Sequence, residues 1–306
     1  MRVVRVVARA KVNLGLAVGP RRPDGYHDIA TVFQSISLAD TLTIAPRRGG
    51  DRLEVRVEDV ADRGRGRMGA VPTGAGNLVL RAAQLLRERH GLRGGSHFQL
   101  LKRIPMGAGM GGGSADAAAA LVGLARLHGL RLPSRQRQEL AAELGSDVSF
   151  ACLGGTALGL GRGEQLRRLR LARAFRGVVA VPRWRVSTAL AYRRIDRGKY
   201  GLTAWGAKLR FAQALGRDGV TALDGHRLGN TFELVLGDRG ASFQSLCRRL
   251  GAAGLEHPRL TGSGSAVLAF PRARVSVESA IERFEGDERL YAVSSARSGL
   301  RVEVVL

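Results

Sequence analysis

The chain has 306 residues, 44% of them hydrophobic, with mean hydropathy near zero, so it can fill one large core or two moderate ones without staples. Lys and Arg total 49 against 26 Asp and Glu, a formal charge of +23, yet only four of the cations are lysines and aromatics are 5%. The basic residues are spread along the whole sequence without a zinc-finger or RNP-like string. That argues against a nucleic-acid partner and for a solvated basic surface that favours anionic ligands.

In chain order, "RVVRVVA" and "VNLGLAV" read as two short strands. Arg2, Arg5, Arg9 and Lys11 interrupt the apolar residues there, so no signal-peptide core forms. Lys11 falls between the strands, either as a snorkelling surface lysine or as an ammonium turned into a cleft that holds an anion. "GPRRPDGYHD" is a turn-rich loop with Tyr26 and His27 side by side, a pair compatible with loop packing or with ligand contact. "IATVFQSISL" and "DTLTIAP" follow as strands, and residues 62–76 form an exposed Gly- and Arg-rich loop. Asn77 caps a helix over "LVLRAAQLLRERH" that stops at Gly91, and "HFQLLKRI" is the next strand.

Residues 107–113 then hold five glycines and run directly into an alanine-rich helix predicted from Ser114 to about His128. The string matches G-x-G-x-x-G through Gly107, Gly109 and Gly112, but helix follows helix afterwards, where a dinucleotide fold needs a second strand. No Gly-Lys-Ser/Thr follows, which excludes a Walker A loop, and a protein-kinase glycine loop belongs in a hairpin. What remains is their shared physics: missing Cβ atoms let several N–H groups converge on one anion at the positive end of a helix. The segment is a phosphate cradle.

A helix over 134–144 precedes Asp147, which follows Gly145-Ser146 at a helix start, where its plain role is a cap. A strand at 177–182, helices near 187–197, 205–215 and 241–253, the turn and strand "LTGSGSAVLAF", a helix near 275–285 and the strand "LYAVSSA" finish the pattern. Strands and helices mix without βαβ alternation, which predicts an α+β fold in two lobes, 1–170 and 171–306. No apolar run approaches the roughly 20 residues of a membrane helix, so a membrane partner is not expected. Cys152 and Cys247 lie apart with no metal-ligand spacing. They are expected as buried free thiols in a reducing, cytoplasmic setting, and no resident metal is predicted.

"KRIPMGAGMGGGSADAAAAL" resembles the phosphate-binding motif of the GHMP kinases, as do "ARAKVNLGLAV" and "LTGSGSAVLAF" in their places. "AKVNLGLAVGPRRPDGYHDIATVFQSISLADTL" and "ELGSDVSFACLGGTALGLGRGEQL" resemble the branch that phosphorylates 4-diphosphocytidyl-2-C-methyl-D-erythritol in the non-mevalonate isoprenoid pathway. The resemblance implies an N-terminal lobe like ribosomal protein S5 domain 2 and a ferredoxin-like C-terminal lobe. It implies ATP with Mg²⁺ as co-substrate, Lys11 and Asp147 at the acceptor hydroxyl, and substrate contacts from Asn13, Tyr26, His27, Thr188 and Tyr192. Tyr26 and Tyr192 would hold the cytosine between them. ATP would be met by Asn77, Lys102, Pro105, Met106, Gly107, Ala108, Gly109, Met110, Gly111, Gly112, Gly113, Ser114 and Ala115. Many relatives carry a second serine where this chain has Ala115, which removes one hydroxyl but no backbone donor. Kinases of the same superfamily acting on mevalonate or homoserine share the cradle without a cytosine clamp, and a basic nucleic-acid-binding protein on a related fold is the other alternative. The oligomeric state, monomer or weak dimer, stays open.

Overall fold

The computed structural model of the chain describes residues 2–63, 69–198, 200, 202–216 and 219–305. The first half supplies strands β1 (Val3–Arg21), β2 (His27–Arg47) and β3 (Arg52–Val57), helix α1 (Leu78–His90) and strand β4 (Gly95–Lys102). Helices α2 (Gly112–Leu127), α3 (Ser134–Leu144) and α4 (Ser146–Leu153) follow, then strands β5 (Thr156–Leu160) and β6 (Gln165–Leu169). The second half runs β7 (Arg176–Val181), α5 (Thr188–Gly198), α6 (Leu202–Ala214), α7 (Ala222–Leu228) and short 3-10 turns at Thr231–Val235 and Gly237–Arg239. Helix α8 (Gly240–Ala252), strands β8 (Leu255–Leu260) and β9 (Val267–Pro271), helix α9 (Val277–Arg283), and strands β10 (Arg289–Ser294) and β11 (Leu300–Val305) complete the chain.

Two sheets result. One has the order β11-β1-β2-β4-β3, and the first half of the long β2 also pairs with β5, which pairs with β6. The other is β10-β7-β9-β8, antiparallel throughout, with Leu246 and Leu250 of α8 and Val277 and Ile281 of α9 packed on Val178, Ala180, Val267 and Ala269. This is the two-lobed α+β arrangement expected from the sequence, with one addition: β11 returns to the first sheet beside β1.

The two short N-terminal strands of the sequence reading are one strand, and so are the two that follow. Bulges let β1 continue, with register shifts between Arg9 and Lys11 and between Asn13 and Gly15. Its burial explains where a site can form. Val4, Val6, Ala8 and Ala10 are buried and the residues between them are not, but from Ala10 to Gly19 every residue is buried. The second face is covered there because α7 lies on it: a Cβ on Gly15 would stand 2.0 Å from the carbonyl oxygen of Gly225. Lys11 and Asn13 sit where that cover begins, on the face turned to the second half of the chain.

Helix α1 follows its sequence signals closely, since the Asn77 side chain accepts from the Val79 amide and Gly91 closes the helix in the left-handed conformation. Helix α2 begins at Gly112, two residues before the predicted Ser114, because glycines fit its first turn as well as the loop. Ala115 and Ala117–Ala120 are all buried, and such small side chains let α2 lie against the sheet, near enough that a Cβ on Gly123 would meet Ile44 at 2.6 Å. Strands β3, β6 and β11 are short edge strands absent from the sequence reading; β3 ("RLEVRV") and β11 ("LRVEVV") do alternate apolar and charged residues, a signal that could have found them, whereas β6 ("QLRRL") does not. Of the predicted loop at 62–76, residues 64–68 lie outside the described ones, and Arg63 bridges to Leu290. Cys152 is buried and Cys247 half-buried, and burial pushes their thiols up to about 12 and about 11. Among the described residues no helix is long and apolar enough to cross a membrane.

Candidate active site

The segment between β4 and α2 is fixed at both ends. Asp40 Oδ1 accepts from the amides of Arg103 (2.6 Å) and Ile104 (2.8 Å), and Ile104, Ala108 and Met110 are buried as anchors. Met110 O accepts from the Lys11 amide at 3.0 Å, and Ala108 O from the Ala266 amide at 3.1 Å, so the loop is tied to β1 and to the β8–β9 turn. The intervening glycines serve packing as much as ligand approach. Gly109 has φ +82°, and a Cβ there would stand 2.3 Å from Thr261 O. Gly111, with φ +66°, caps α2 without a side-chain bond. The first intrahelical amide is that of Ala115, bonded to Gly111 O at 2.9 Å, which leaves the N–H groups of Gly112, Gly113 and Ser114 for an anion.

A cavity of about 420 Å³ opens in front of these amides. Its lining includes Asn77, Lys102 and the whole run Pro105 to Ser114, together with Asp116. Ala115 is the exception among the expected ATP contacts: it is buried and not on the lining. Lys102 reaches the cavity, but its ammonium is buried and donates to Asp40 and, at 2.7 Å, to Asp116 Oδ2. Burial works against the Lys102 charge and the two carboxylates more than restore it, so its pKa is raised, while burial and the second carboxylate hold Asp116 well above the usual range. Asp116 Oδ1 is buried with no hydrogen-bond partner among the described residues. Neither Asp40 nor Asp116 was singled out from sequence, although an acid inside the strand "LADTL" and one inside an alanine run are both anomalies that could have flagged them.

Lys11 and Asp147 meet. Lys11 is 7% exposed, and its Nζ lies 3.6 Å from Asp147 Oδ2 and donates to Asn13 Oδ1 at 2.8 Å. A Cβ on Gly111 would contact the Lys11 chain at 3.0 Å and Asp147 Oδ2 at 3.7 Å, so the pair stands against the last turn of the glycine loop. Asp147 sits in the first turn of α4, where the N-cap position belongs to Gly145, leaving the carboxylate 38% exposed and open to a ligand. Asn13, expected at the substrate, is 2% exposed and committed: its Nδ2 donates to Thr31 at 2.7 Å while its Oδ1 orients Lys11.

A second cavity of about 620 Å³ includes the two residues before Asp147 and is lined by Tyr26, His27, Gly145, Ser146, Arg162, Tyr192 and Asp196 among others. The ring of Tyr192 is stacked on His27, centroids 4.9 Å apart, and braced edge-on by Phe232. Burial, and then the charge of Asp147, push the Tyr192 phenol up to about 12. Tyr26 is 57% exposed on its loop, with the Arg162 guanidinium 5.0 Å from its ring centroid. Tyr26 and Tyr192 thus share a cleft, but the direct stacking partner of Tyr192 is His27. Thr188 lies outside this lining, its hydroxyl 2.6 Å from Ser263 in the β8–β9 turn. Arg162 and Asp196 carried no sequence signal, since both are ordinary surface charges until the fold brings them to the cleft.

The GHMP kinases N terminal domain matches residues 77–155, from the cap of α1 through the glycine loop to β5. A 4-diphosphocytidyl-2-C-methyl-D-erythritol kinase of Solibacter usitatus is 39% identical over 94% of this chain and 87% of its own. One from Pelotomaculum thermopropionicum is 39% identical over 95% and 97%. A solved 4-(cytidine 5'-diphospho)-2C-methyl-D-erythritol kinase superposes with a TM-score of 0.71 at 33% identity, covering 95% of this chain and 98% of that one. A homoserine kinase of Cytophaga hutchinsonii, 17% identical with a TM-score of 0.68, shares the fold, covering 98% of this chain and 97% of its own. Identity of this extent, spread over both lobes and both cavities, places the chain in the 4-diphosphocytidyl-2-C-methyl-D-erythritol kinase family of the GHMP kinases.

Proposed function

We propose that this chain transfers the γ-phosphoryl group of ATP to the 2-hydroxyl of 4-diphosphocytidyl-2-C-methyl-D-erythritol. The observation that carries the reading is the position of the Lys11–Asp147 pair, close to Gly111 of the phosphate cavity and directly after Gly145-Ser146 of the aromatic cleft. A phosphoryl donor in the first cavity and an alcohol in the second meet at that pair. The acceptor oxygen forms a bond to the γ-phosphorus as the bond to the bridging oxygen of ADP breaks, and the hydroxyl proton passes to Asp147. Lys11, buried and oriented by Asn13, stands 3.6 Å from Asp147 and offsets charge on the entering oxygen. The amides of Gly112, Gly113 and Ser114 face the charge that spreads over the phosphoryl oxygens.

Mg²⁺ delivered with the nucleotide suits the same cavity. The hydroxyl of Ser114 and the unpartnered Oδ1 of Asp116 are oxygen donors on its lining, and among the described residues no dedicated metal cluster exists. Bound there, the ion neutralises phosphate charge. The reading also divides the chain into a phosphate-binding lobe, 1–170, and a lobe from 171 onward, with β11 crossing back. A coupled ADP-release assay with the diphosphocytidyl alcohol beside mevalonate and homoserine tests the proposal. Turnover of the first alone is expected, and turnover of either of the others in its place overturns it.

A further inference from the structure

Stacking makes the cleft hospitable to a base but cannot select one, because every base offers an aromatic face. Selection falls to groups that read the base edge. Within the cleft the best placed is Asp196 on α5, one helical turn beyond Tyr192. Its Oδ1 lies 2.8 Å from His27 Nε2. A carboxylate oxygen accepts, so in this contact His27 Nε2 is the donor.

The rest of the carboxylate is uncommitted. Asp196 is 35% exposed and, among the described residues, pairs with no Lys or Arg, although Arg21, Arg162 and Arg193 line the same cleft. A carboxylate offers about four lone-pair sites, and His27 takes one. The open positions of the Asp196 carboxylate are therefore acceptors. Cytosine presents an exocyclic amino donor at its 4-position, where uracil presents a carbonyl acceptor; a carboxylate bonds the first and is repelled by the second.

We propose that Asp196 is a specificity-determining residue that accepts a hydrogen bond from the exocyclic amino group of the pyrimidine, admitting cytidine-linked substrates and rejecting uridine-linked ones. The inference rests on the reading above that a cytidine diphosphate is part of the substrate. His27 is the positioning partner, and Tyr26 and Tyr192 contribute stacking that is indifferent to the base.

Calorimetric titration of wild type, Asp196→Asn and Asp196→Ser with CDP, UDP and ATP tests it. Wild type should prefer CDP over UDP by about 10- to 100-fold. Asp196→Asn, whose amide can donate to a carbonyl, should bring that ratio close to one, and Asp196→Ser should reduce it about tenfold, each with ATP affinity within about twofold of wild type. The Asn variant separates edge reading from mere support, because its amide oxygen still accepts from His27 Nε2 while the group left for the base changes from acceptor to donor. A CDP-to-UDP ratio unchanged in both variants overturns the proposal and leaves the kinase reading intact. Wild type that binds ATP but neither diphosphate removes the cytidine reading itself, and the proposal falls with it.

Discussion

The two cavities whose linings adjoin Lys11 and Asp147, through Gly111 and through Gly145-Ser146, are built on opposite principles. The phosphate cavity is made of backbone: buried anchors at Ile104, Ala108 and Met110, amides at the tip of α2, and Asp40 clamping the loop entrance from 62 residues away along the chain. The aromatic cleft is made of side chains on a surface loop and a surface helix, with Tyr26 57% exposed and Asp196 35% exposed. A triphosphate is an anion that main-chain donors can hold, with few side chains needed beside them. A particular acceptor must be told from others, and that requires functional groups that can change without disturbing the core.

The sharpest way to break the comparison is at the point where the cavities join. Asp147→Ala should lower kcat by about 10³-fold or more, the scale of a lost acid–base group, while ATP affinity stays within a few fold. Steady-state kinetics beside calorimetric ATP titration measure both. Loss of ATP binding in that variant would make Asp147 part of the cradle. Within the cradle the contrast lies between two glycines. Gly109→Ala combines a positive φ with a Cβ 2.3 Å from Thr261 O, so ATP affinity should drop about 100-fold and Tm should fall by several degrees. Gly113→Ala meets only Leu78 at 3.7 Å and should leave both within about twofold and a degree or so. On the cleft side, Tyr192→Ala should raise KM for the diphosphocytidyl substrate at least about tenfold and leave KM for ATP unchanged.

How much of this could be read from residues alone follows the same division. Backbone chemistry leaves local marks, so the glycine run, the Asn77 cap and the Gly91 stop all located real features. The Lys11–Asp147 pairing came through resemblance; taken alone, a lysine between strands and an aspartate at a helix start read as surface and cap. Contacts set by long-range packing were invisible. Nothing local says that Asp40 holds the glycine loop, that Asn13 orients Lys11, or that Asp196 meets His27 across 169 residues. Likewise the alternation Leu300, Val302, Val304 could mark β11 as a strand, but its pairing with β1 is decided by the far end of the chain. A residue's local pattern reports its element; its partners depend on topology.

A further small effect concerns a region that touches neither cavity and so shows what the rest of the second lobe contributes. His226 on α7 lies 3.1 Å from Arg259, 4.8 Å ring to ring from His257, and close to the half-buried Lys208 and Glu233 that surround the same guanidinium. Burial, then the charges of Arg259 and His257, push its imidazole from 6.5 down to about 4. The folded state therefore holds His226 neutral, with Nε2 accepting from Arg259. Because the folded pKa is depressed, its contribution to stability is complete above pH 6.5 and is lost as pH falls from there through about 4. Partial exposure screens the effect to about 1 kcal/mol, or roughly 2 °C in Tm for a chain of this length. His226→Gln keeps an acceptor for Arg259 and removes the titration. Thermal melts at pH 7.5 and 4.5 should show a drop smaller by about 2 °C in the variant, with kcat and both KM values unchanged at pH 7.5. A drop equal to that of wild type would assign the acid sensitivity of this lobe to other groups, and a change in KM would mean that α7, through its backbone contact with β1 at Gly15, transmits to the site after all.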